Sequence, residues 1–98
     1  DYAERIVRGV MSRRGELDAT IAAALEHWDM QRLAVIDRNV IRLAVYEMLH
    51  CMDVPPVVSI NEAVDIAKYF GTAESGRFVN GVLDRICKGL QRPSRTAD

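Results

Sequence analysis

The residues whose types and spacing could do chemistry are Arg77, Phe78, Arg85 and Lys88. Winding residues 74–90 as a helix, at about 100° per residue, places Phe78, Val79, Val82, Leu83, Ile86, Cys87 and Leu90 on one broad apolar stripe. Gly81 then falls nearly opposite the centre of that stripe. Arg77 lies one turn before it, Arg85 one turn after and Lys88 two turns after, with Glu74 and Asp84 on the same face. Asn80-Gly81 is a strong hairpin signal, but a hairpin there leaves Ile86, Cys87 and Leu90 without an explanation. Inside a helix the glycine costs about 1 kcal/mol relative to alanine, and it removes a side chain between two arginines. The resulting groove would expose backbone, flank it with cations for phosphates, and offer the Phe78 edge to a nucleic-acid base. Two plainer readings stand beside it: another helix packs closely over Gly81, or the glycine is simply tolerated.

The elements that must position this face are all helical. No stretch alternates like a strand. Tyr2, Ile6, Val10, Leu17, Ile21, Leu25 and Trp28 keep close to helical spacing. The apolar phase survives across Gly15, so the pattern predicts one long, bent helix. Asp29 can cap a short turn through Leu33. A second pattern begins at Asp37, is apolar on most sides and is therefore expected at the centre; Val54-Pro55-Pro56 should stop it. Ser59 and Glu62 have capping-box spacing, with Ile60, Ala63, Val64, Ala67 and Phe70 as the buried stripe that follows. Gly71 suits a left-handed position closing that helix. Thr72 can cap a last helix running to about Leu90, which leaves 92–98 as a frayed tail. The expected fold class is all-α, a bundle of about four to five helices forming one domain over 1–98.

Composition narrows the function. The 98 residues carry a net charge of −1, so any nucleic-acid site must be a local patch. Cys51 and Cys87 form no CxxC, and they read as reduced thiols of a cytoplasmic protein. No apolar run could span a membrane. His27 and His50 are far apart, and His50-Cys51 lacks further ligands at zinc spacing, so no metal and no cofactor is expected. No nucleophile pattern or phosphate loop suggests an enzyme; Ser59 and Ser75 read as a cap and a first-turn residue. Arg42 is expected to pair with a carboxylate across helices. Trp28 should anchor the junction between halves, and Arg8, Arg13 and Arg14 read as a solvated face.

The segments "DRNVIRLAVYEML", "VVSINEAVDIAKYFG" and "RFVNGVLDRI" resemble, in order and spacing, the later part of NusB-type transcription antitermination factors. The resemblance covers nearly the whole chain. It implies an all-α protein without catalysis or cofactor. Such a factor binds the boxA element of ribosomal RNA leaders jointly with a small-subunit ribosomal protein, in a complex that helps RNA polymerase read through terminators. Carried over by position, Glu74, Ser75, Arg77 and Phe78 match the family's RNA-contacting region, to which the helical face adds Arg85 and Lys88. Asp37, Arg38 and Ile41 match the surface facing the ribosomal protein. The family's arginine-rich N-terminus and first two helices have no counterpart in these residues, so the sequence reads as a fragment. Its first helix is expected to expose Val7 and Met11, a patch that invites a homodimer. Two alternatives keep the fold: a protein-interaction module with little RNA binding, and the NusB-like domain appended to ribosomal RNA cytosine methyltransferases.

Overall fold

The computed structural model describes residues 1–25 and 33–96, with side chains as far as Leu90. The expected roles of His27, Trp28 and Asp29 lie outside these residues. Five helices form the described chain: α1 (Tyr2–Ser12), α2 (Arg14–Ala24), α3 (Val35–His50), α4 (Pro56–Phe70) and α5 (Ala73–Thr96). As its apolar sides require, α3 is central and packs against each of the other helices. Its Val40, Ile41, Ala44, Val45 and Met48 meet Leu17 and Ile21 of α2, Ile60, Ala63 and Ala67 of α4, and Val79, Val82, Leu83 and Ile86 of α5 in one core. No helix among the described residues is long and apolar enough to cross a membrane.

Several local expectations are overturned. The long first helix is two helices, broken at Arg13 (φ −114°, ψ 19°) rather than bent at Gly15. The break lets each half dock separately. In α1, Gly9 lies against the ring of Tyr46, where any Cβ would collide, while in α2 Leu17 and Ile21 enter the core. Val7 and Met11 are exposed, as expected. The two prolines do not end α3, which stops at His50; Pro55 is instead the N-cap of α4 and Pro56 opens its first turn, where a missing N–H costs nothing. Ser59 is therefore an interior helical residue, buried with its hydroxyl unpaired, and Glu62 is exposed: there is no capping box. Gly71 closes α4 with a negative φ. Glycine is needed there for space, since a Cβ would stand 2.8 Å from both the Ala67 carbonyl and Ser75 Oγ. Phe70, expected in the core, is the last residue of α4 and is 67% exposed. The backbone of α5 continues past Leu90 to Thr96; the carbonyl that Pro93 cannot serve belongs to exposed Gly89.

Two polar ties lock the early helices to α3. Arg42 grips Asp18 with both prongs, Nε to Oδ1 at 2.7 Å and Nη2 to Oδ2 at 2.9 Å, and its Nη1 donates to Asn39. This is the expected cross-helix carboxylate. The Tyr2 hydroxyl donates to Glu47 Oε2 at 2.7 Å. That bond, helped by burial, pushes the Tyr2 hydroxyl from its ordinary value of 10.0 up to about 12. The folded protein therefore favours the protonated phenol. The resulting stability is whole below pH 10 and is lost as pH rises through about 12. Tyr2→Phe should cost about 1 kcal/mol in urea unfolding at neutral pH. Its stability should also fall less between those two pH values than that of the unaltered protein.

Candidate nucleic-acid interface

The first turn of α5 builds the site. Thr72 Oγ1 accepts from the Ser75 amide at 3.1 Å, the expected N-cap, and this fixes where Glu74, Ser75, Arg77 and Phe78 project. Glu74, Ser75 and Phe78 line one cleft of about 350 Å³ with Thr72 and, from the far side, Leu33, Ala34 and Asp37. The expected RNA residues and the expected partner residue Asp37 thus share a wall-to-wall cleft, although 41 positions separate Asp37 from Phe78 in the sequence. Asp37 is only 8% exposed, and its Oδ1 has no hydrogen-bond partner among the described residues. With Glu74 opposite, the cleft is rich in acceptors. It suits exocyclic amino groups of bases or the cations of a protein, and it repels phosphate.

The other candidate residues spread out from this cleft. Arg77 is exposed beside it, and none of the ion pairs among the described residues uses it. Phe78 is half-buried against the core and offers only part of its ring. Gly81 is open: a Cβ there would meet nothing within 4 Å, so no helix among the described residues packs closely over it. The cations around that groove are partly committed. Arg85 donates to the Ala24 carbonyl at the end of α2 at 2.6 Å, and Lys88 pairs with Asp84 at 3.1 Å. Arg8 and Arg13 likewise pair locally, with Glu4 and Glu16. On α3, Asp37 and half-buried Arg38 lie in the first turn. Ile41 is fully buried, so its side chain belongs to the core and cannot form a surface contact. Buried Gly76, in the first turn of α5, lies against the Lys68 stem of α4, a neighbour that helical periodicity does not encode.

Comparison with known proteins identifies the family of this fold. The NusB family model matches residues 1–88. Transcription antitermination protein NusB of Desulfosudis oleivorans is 53% identical over 85 residues, covering 87% of this chain and 55% of that protein. The Thermotoga maritima protein of the same name is 51% identical over 86 residues, covering 88% and 61%. Its crystal structure superposes with a TM-score of 0.84. A structure of antitermination factors NusB and NusE in complex with dsRNA superposes at 0.82 with 31% identity, covering 90% of this chain and 64% of the other. The chain thus spans somewhat over half the length of these relatives, which are transcription antitermination proteins rather than enzymes. Sequence and fold agree: the chain belongs to the NusB family.

Proposed function

We propose that this chain carries the RNA- and partner-reading part of a transcription antitermination factor. It binds a boxA-type ribosomal RNA leader together with a small-subunit ribosomal protein, and it promotes read-through by RNA polymerase. The observation that carries the reading is the cleft between the start of α3 and the start of α5, where Asp37 faces Glu74, Ser75 and Phe78. A single-stranded base can place its amino groups against those acceptors while Arg77 holds the backbone from outside. The relative solved with NusE and dsRNA supports both partners.

Fluorescence anisotropy with a boxA-type RNA, with and without the ribosomal protein, tests the reading. Arg77→Ala should weaken RNA binding about five- to tenfold and lower the salt slope by about 0.7 for the lost phosphate contact. Unchanged affinity and slope would remove Arg77 from the interface. The engagement of Arg85 and Lys88 within the chain favours one alternative, a module that docks mainly protein. Ribosomal-protein binding with no RNA contribution, alone or jointly, would select it.

A further inference from the structure

The outward position of Phe70 leaves an aromatic pair in the open. Tyr69 and Phe70 end α4, are 82% and 67% exposed, and stand edge-to-face with ring centroids 4.8 Å apart. Lys68 completes the group. Its stem crosses Gly76 of α5, where a Cβ would come within 2.5 Å of Lys68 Cγ and 3.5 Å of Cε. The glycine is therefore a seat for the lysine stem. None of the ion pairs among the described residues uses Lys68, so its charge is not cancelled by a neighbouring acid. Across the two-residue link between α4 and α5, Gly71 lies against Ser75. The end of α4 and the first turn of α5 thus form one continuous surface.

We infer that the last turn of α4 is a second nucleic-acid subsite, in which Tyr69 and Phe70 stack an unpaired base of single-stranded RNA and Lys68 neutralises an adjacent phosphate. The inference rests on the RNA-binding reading and extends it beyond the cleft. Charge and exposure both support it. Asp37 and Glu74 make the cleft unfavourable for phosphate, so a strand's backbone is best served along Arg77 and Lys68, outside it. Phe78 has little free ring, whereas Tyr69 and Phe70 have most of theirs, and stacking on aromatic rings tolerates any base.

The test is anisotropy of this chain with a fluorescein-labelled boxA-type RNA, and fluorescence of the same RNA carrying 2-aminopurine at successive positions. The double variant Tyr69→Leu, Phe70→Leu should bind about tenfold more weakly and lose the quenching at one 2-aminopurine position, while Tyr69→Phe keeps both. Lys68→Gln should lower the salt slope by about 0.7. Gly76→Ala should weaken binding to a similar degree, and adding it to Lys68→Gln should change little more. If the leucine variant binds with unaltered affinity and quenching while Arg77→Ala still weakens binding, the subsite is overturned and the RNA-binding reading stands. If the unaltered chain binds no RNA, both fall. If the leucine variant binds RNA normally but loses self-association in light scattering, the patch joins two copies and the subsite is again overturned.

Discussion

Ile41→Ala should lower the unfolding free energy by about 3 kcal/mol, because truncating a fully buried isoleucine loses its transfer free energy and leaves a cavity. In a domain of this size that corresponds to a fall of roughly 12–24 °C in the melting midpoint. The measurement is thermal unfolding of the isolated protein by circular dichroism, with no partner present. The result matters because family resemblance places Ile41 on the protein-docking surface, whereas the structure buries it in the same core as Leu17 and Leu83. A variant that melts normally and fails only to bind the ribosomal protein would return Ile41 to the surface. A variant that melts early will lose partner binding as well, through loss of fold, and binding data alone would then mislead.

Asp18→Ala is the second large effect, expected to cost about 2–3 kcal/mol. Arg42 is nearly buried, and Asp18 takes two of its hydrogen bonds. Removing the acid strands a guanidinium where water reaches it poorly. Fully buried pairs lose about 3–5 kcal/mol this way, and the partial exposure of Asp18 reduces that figure. The reverse change should be milder. Arg42→Met refills the volume and leaves Asp18 at the surface, hydrated, at a cost of about 1 kcal/mol or less. Urea unfolding of both variants reads the asymmetry. Equal losses would mean that the attraction itself, rather than the stranded charge, dominates.

The central helix and the apolar stripe of α5 were legible because each is periodic over many turns, and burial follows the period. The Thr72 cap and the carboxylate partner of Arg42 followed from local chemistry. The failures have two causes: a local signal overridden by its neighbours in sequence, or a contact with another element. The break at Arg13 preserves the apolar phase, so the pattern cannot reveal it. The Ser59–Glu62 spacing matches a capping box, but Pro56 had already started the helix a turn earlier. Phe70 sits on the correct face of α4 and still meets solvent, because nothing in the described fold extends over it. Gly9 and Gly76 read as ordinary small residues until Tyr46 and Lys68 are placed against them. At the site, the residue types were readable on α5, but the facing wall came from the start of α3, a long-range arrangement that no local pattern specifies.

The bond from Arg85 to the Ala24 carbonyl has a consequence for the order in which the molecule assembles. It joins residues 61 positions apart, whereas α4 and α5 are joined by a two-residue link and can zip together with little loop entropy. The end of α2 therefore gains its cap only after α5 has docked. An earlier helix is thus finished by a side chain that only a later helix can bring to it.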